Sequence, residues 1–146
     1  MTDPRSGPGF SRESFENWTV QMRKGVLDLC ILKVLSVKEW YGYALVKALV
    51  AMQGVGMAEG SIYPLLARLK KQGLVTTRLE ESNEGPARKY YRATAEGCAL
   101  AKEMEAYFGE MTQAVNELRR SDFTQPSSEF PTSHGEWDCS VKDTTD

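Results

Sequence analysis

Histidine is almost absent from this 146-residue chain: the single one, His134, lies in a polar stretch near the C-terminus. No serine or cysteine has a plausible base partner by spacing, no glycine loop has phosphate-cradling spacing, and no H-E-x-x-H occurs. An enzyme is therefore not expected, and neither is a cofactor. The three cysteines, Cys30, Cys98 and Cys139, are odd in number, far apart and without C-x-x-C spacing. They argue against a zinc site or a disulfide framework, and Cys30, in an apolar run, reads as a core residue. No apolar run is long enough to span a bilayer and none near the N-terminus resembles a signal peptide, so no membrane partner is expected and the expected compartment is the cytoplasm.

What is present is unevenly charged. The net charge is −2, but residues 1–120 hold 17 Lys/Arg against 14 Asp/Glu, while residues 121–146 hold one lysine against six acids. Ser61 to Arg92 carries seven cations and three anions. This local excess, rather than the overall balance, is what bears on a polyanionic partner.

The Pro/Gly/Ser-rich start (1–13) reads as a flexible lead. Phe15, Trp18 and Met22 suit a short helical arm, or a frayed end with stray aromatics. Arg23 to Leu35 is apolar almost all the way round a helix, so part of its surface is expected at a subunit interface. Arg23 and Lys24 fit a phosphate contact as well as they fit plain solvation. Ser36 to Tyr41 reads as a turn and Gly42 to Met52 as a second helix, ended by Gln53-Gly54-Val55-Gly56.

In Glu59 to Lys71, Ile62, Leu65, Leu66 and Leu69 fall on one face, leaving Ser61, Tyr63, Pro64, Arg68 and Lys71 on the other. The helix starts between Ala58 and Ser61. A start at Ser61 makes that hydroxyl the N-cap and puts Pro64 in the first turn, where its missing N–H costs nothing. A start at Ala58 puts Pro64 deeper. Leu74 to Glu80 and Arg88 to Thr94 alternate as strands around a Gly85-Pro86 loop. A helix with a basic face followed by a basic hairpin predicts a winged helix-turn-helix, mainly α with a small β-hairpin wing, over residues 14–95.

Thr94 is the expected N-cap of a last helix, 96–120. Gly97, Ala101, Met104, Phe108, Met111, Val115 and Leu118 advance by alternating steps of four and three, a coiled-coil seam that predicts dimerisation. The alternative is a helix folded back on its own domain. Met104, Tyr107, Phe108 and Met111 form a soft aromatic and thioether patch, read either as dimer packing or as the wall of a ligand pocket. Residues 121–146 lose all periodicity and read as a disordered acidic tail, which could compete with DNA for the cationic face; Phe130 and Trp137 within it suit a docking motif or a solvated tail.

Several motifs together resemble the PadR family of bacterial winged-helix regulators. They are Gln21-Met22-Arg23-Lys24-Gly25-Val26-Leu27, Tyr41-Gly42-Tyr43, Glu59-Gly60-Ser61-Ile62-Tyr63-Pro64-Leu65-Leu66 with Arg68-Leu69, and Gly85-Pro86-Ala87-Arg88-Lys89-Tyr90-Tyr91 with Thr94 and Gly97. Ser61 stands where Thr is common in the family, and Ala87 where Pro or Gly is. The resemblance implies a homodimer through the last helix, aided by the first, on a palindromic DNA operator, usually in repression. It also implies a hydrophobic or aromatic inducer.

On this reading Ser61, Tyr63 and Pro64 touch base edges, Arg68 and Lys71 hold phosphates, and Gly85, Arg88 and Lys89 serve the wing. Tyr43 and Lys70 are second-rank contacts. The competing reading is a winged-helix module that binds another protein without DNA specificity; a steep fall of affinity with salt separates the two.

Overall fold

The computed structural model describes residues 11–119. Of the expected lead 1–13, residues 1–10 lie outside the described residues, as does the tail 121–146, while Ser11 to Glu13 open the first helix. The chain runs α1 (Arg12–Val37), β1 (Trp40–Tyr41), α2 (Gly42–Ala51), α3 (Glu59–Lys71), β2 (Val75–Glu80), β3 (Arg88–Ala93) and α4 (Ala95–Glu117). The three strands form an antiparallel sheet in the order β1-β3-β2. This is a winged helix-turn-helix. Contacts divide the chain into two units, Met1–Met111 and Thr112–Asp146; the second, as far as described, is the end of α4, with Gln113 bonded to Glu117 one turn on.

The first unit's core gathers one stripe from each element. Ile31, Leu32 and Leu35 of α1, Leu45, Val46 and Leu49 of α2, and Ile62, Leu66 and Leu69 of α3 are all at most 3% exposed, and Leu74, Val75, Tyr91, Ala93 and Ala101 close it. Among the described residues no polar or charged side chain is buried.

Two expectations are corrected here. The arm and the apolar segment are one helix of 26 residues, about 39 Å long, capped by Ser11, whose hydroxyl accepts from the Ser14 N–H. A change from polar to apolar composition at Arg23 changes what the helix packs against without breaking it. The supposed turn Ser36 to Tyr41 contains a strand: Trp40 pairs with Tyr91 and Tyr41 with Tyr90. Gly42 makes that possible, since a Cβ there would sit 2.9 Å from Cε2 of the Tyr91 ring.

The α3 start falls at Ala58, which has no side chain to cap the helix. Ser61 is thus inside the first turn, with its N–H bonded to the Ala58 carbonyl at 3.0 Å. Pro64 lies within the helix. The carbonyl it leaves unpartnered belongs to Gly60, an exposed residue open to water. At the other end Gly73, at φ +77°, adopts the left-handed conformation that ends the helix. The Gly73 N–H bonds Lys70 O and the Leu74 N–H bonds Leu69 O, both at 3.0 Å, the paired closure of a Schellman motif.

Thr94 caps α4 as expected: its hydroxyl accepts from the Gly97 N–H at 3.1 Å and donates to Gly73 O at 2.7 Å. One side chain therefore joins the end of α3, the sheet and the start of α4. Gly97 and Ala101, the first two members of the seam, are buried within this domain, and Met104 packs against its core. Ala101 is 5% exposed inside its own domain, which corrects its expected place in a dimer seam. Phe108, Met111, Val115 and Leu118 remain exposed.

Candidate nucleic-acid interface

The α3 stripe decides which residues face outward. With Ile62, Leu66 and Leu69 buried at 0–1%, the 3.6-residue period turns Ser61, Tyr63, Pro64, Arg68 and Lys71 to the surface, and all five are exposed. Because Ala58 provides no side-chain cap, the Ser61 hydroxyl is not committed to capping. Three cations, Arg68, Lys70 and Lys71, stand in the last turn, where they also suit the negative end of the helix dipole.

The hairpin register sorts the wing. Val75–Ala93, Thr77–Tyr91 and Leu79–Lys89 share the core-side face, while Thr76–Arg92, Arg78–Tyr90 and Glu80–Arg88 share the outer one. Arg88 and Lys89 therefore point oppositely. Arg88 lies over the Tyr41 ring, 5.3 Å from its centroid, on the outer face. Lys89 turns inward and, with Tyr63, Ala67, Lys70, Lys71 and Tyr91, lines a groove of about 420 Å³ between α3 and β3. Three ammonium groups flank this groove, and no carboxylate among the described residues pairs with any of them.

A second set of tyrosines gathers around β1. Tyr41 lies 6.3 Å from Tyr43 and 5.8 Å from Tyr90, centroid to centroid, and Lys47 sits 5.2 Å from the Tyr43 ring. Burial pushes the Tyr63 hydroxyl's pKa up, and the nearby Tyr91, Glu59, Tyr41 and Tyr43 add to this. Tyr63 thus stays a hydrogen-bond donor at neutral pH, as an acceptor-rich phosphate or base edge requires.

The arginines are differently occupied. Arg68, still exposed on α3, is ion-paired to Asp28 of α1 through Nη2 and Oδ1, which ties α3 to the first helix. Arg78 is held by Glu39 just ahead of β1. Arg23 lies against the α2–α3 turn, its guanidinium 2.9 Å from where a Gly56 Cβ would be.

Residues 31–103 match the family described as Transcriptional regulator PadR-like family. A PadR-like transcriptional regulator from Bacillus cereus superposes with a TM-score of 0.61 at 41% identity, over 70% of this chain and 99% of its own. A PadR family regulator from Eggerthella lenta gives 0.64 at 32% identity, over 75% and 96%. An uncharacterized protein from Lysinibacillus sphaericus is 26% identical over 95 residues, 64% of this chain and 87% of that one. The chain belongs to the PadR-like family of transcriptional regulators.

In this PadR-like chain the DNA-facing candidates fall into two groups. Ser61, Tyr63, Pro64, Lys71 and Lys89, with the second-rank Tyr43 and Lys70, are exposed around α3 and the groove. Gly85 and Arg88 lie elsewhere, at the wing loop and on the sheet's outer face. Lys70 is better placed than its second rank implied, because it shares the groove with Lys71 and Lys89. In the sequence Tyr41 has no role beyond its place in the Tyr41-Gly42-Tyr43 motif, and nothing points to Lys47. A strand of two residues has no readable period, and Lys47 is identified only by the ring it covers.

The patch Met104, Tyr107, Phe108 and Met111 also meets something new. With Gln21, Met22, Gly25, Val26 and Leu29 of α1 it lines a largely apolar cleft of about 300 Å³. Among the described residues no helix is long and apolar enough to cross a membrane.

Proposed function

We propose that this regulator acts as a repressor: a homodimer that occupies a palindromic operator and is released by a flat hydrophobic or aromatic ligand. The observation that carries the DNA half is the groove flanked by Lys70, Lys71 and Lys89, beside the outward face of α3. A lysine-lined concavity next to an exposed helix suits a duplex: the helix enters the major groove while the ammonium groups meet phosphates. Ser61, Tyr63 and Pro64 then face base edges. Two such helices, about one helical turn of DNA apart, would read two half-sites.

The dimer is supported by what α4 leaves uncovered. Phe108 and Met111 are 37% and 36% exposed, and Val115 and Leu118 are 61% and 60% exposed, still at seam spacing. Trp18, at 58%, and Met22, at 38%, leave the first half of α1 similarly bare. A second copy laid along these surfaces would cover them. The α1–α4 cleft has the size and apolar lining of a small-molecule site, and a ligand there would act where the two copies meet.

The dimer is tested by Phe108→Glu with Met111→Glu in sedimentation. Wild type should run as a dimer at micromolar concentration and the double variant as a folded monomer, with operator affinity at least roughly 100-fold weaker because one half-site is lost. A monomeric wild type would remove the dimer. A dimeric double variant would move its interface elsewhere.

A further inference from the structure

Beyond the Thr77–Tyr91 pair the wing leaves the core. None of residues 78–90 is buried, and Arg78, Leu79, Glu80, Arg88 and Lys89 are all exposed. Two paired strands without a packed face are only marginally stable by themselves, so the direction of this outer half needs another support. That support lies on the outer face of the sheet. The Arg78 Nε donates to both Glu39 carboxylate oxygens at 2.9 Å, and its Nη2 donates to Oε1 at 2.5 Å. The guanidinium also stands 4.5 Å from the Tyr90 ring centroid. Glu39 precedes β1 and Arg78 belongs to β2, on opposite sides of β3, so the pair reaches across the central strand beside the Tyr90 ring. The hydrogen bond from Arg78 holds the Glu39 carboxyl below the usual carboxylate range, with help from the Arg78 and Arg92 charges, so it is ionised at neutral pH.

The geometry points to Glu39 as a positioning residue: by clamping Arg78 over Tyr90 it sets the angle of the wing against α3, and so the place of Lys89 opposite Lys70 and Lys71. This rests on the DNA-binding reading of that groove. It deepens that reading by assigning a carboxylate, which would itself repel phosphate, a part in binding.

The sign of the effect separates positioning from plain electrostatics. Removing a negative charge near DNA strengthens binding if charge alone matters. Losing the clamp weakens it. Glu39→Ala and Glu39→Asp should both bind operator roughly ten-fold more weakly, the second because an intact charge on a shorter stem no longer reaches the Arg78 fork. In either background Lys89→Ala should cost less than it does in wild type, since the two act through one element. Independently of DNA, amide exchange at residues 78–80 and 88–90 should speed up about ten-fold or more while Leu66 and Val75 stay protected.

Unchanged exchange, or affinity equal to or tighter than wild type in Glu39→Ala, overturns the assignment. Faster exchange in a protein whose wild type shows no operator preference would leave the clamp standing and remove the DNA-binding reading instead.

Discussion

Gly97→Ala should lower the melting temperature by roughly 12 °C or more. A Cβ at position 97 would sit 3.0 Å from the Leu74 carbonyl carbon and closer still to its oxygen, and both are backbone atoms. Nothing there can yield as a side chain does: the same oxygen accepts from the Thr94 N–H at 3.0 Å, and Leu74 is 8% exposed in the core. Overpacking typically costs about 1–3 kcal/mol, and a backbone oxygen as the obstacle puts this site at the upper end. Each kcal/mol is worth roughly 4–8 °C in a domain of this size. Gly109, twelve residues on in the same helix, is the control, because a Cβ there meets nothing within 4 Å. Gly109→Ala should gain up to about 1 kcal/mol from helix propensity. Thermal unfolding followed by circular dichroism distinguishes them. A Gly97→Ala protein as stable as wild type would mean that α4 does not approach the Leu74 backbone so closely.

The second large effect is on salt dependence. Lys70→Ala, Lys71→Ala and Lys89→Ala combined should flatten the slope of log affinity against log salt by about 3 for one bound protomer and about 5 for a dimer. At physiological salt the operator affinity should fall by several orders of magnitude, with preference among duplexes kept, because phosphate contacts carry no sequence information. An unchanged slope would show that the groove is not where the backbone lies. Arg68→Ala makes a useful contrast. Its guanidinium is held by Asp28, so its loss should reach DNA through the α1–α3 contact and leave the slope nearly intact.

Much of the fold was legible because its elements repeat at their own period. The Ile62–Leu69 stripe, the alternation around Gly85-Pro86 and the Thr94 cap each name an element locally, and each stands as expected. What escaped is non-local. The β1 strand exists because Trp40 and Tyr41 meet Tyr91 and Tyr90 some fifty residues away. The Arg68–Asp28 pair is non-local in the same way, since no spacing rule connects residues forty apart. The α4 seam keeps one period along the whole helix, and a period alone does not tell a dimer partner from the chain's own domain. The seam's first members are taken by the chain's own core, because Gly97 and Ala101 are small enough to let α4 lie against the domain. Ser61 was a sound N-cap by residue type. A start at Ala58 instead puts the uncapped first turn, and its free hydroxyl, at the surface.

The most direct test of the central claim is a polarisation titration of wild type and Tyr63→Ala on the promoter duplex upstream of the protein's own gene. A random duplex of equal length runs alongside, and each is measured at two salt concentrations. Wild type should prefer the promoter by roughly 1,000-fold or more and weaken steeply with salt. Tyr63→Ala should lose the preference while keeping the fold and the oligomeric state. Equal binding of promoter and random duplex, or a Tyr63→Ala protein that discriminates as wild type does, would contradict recognition through α3.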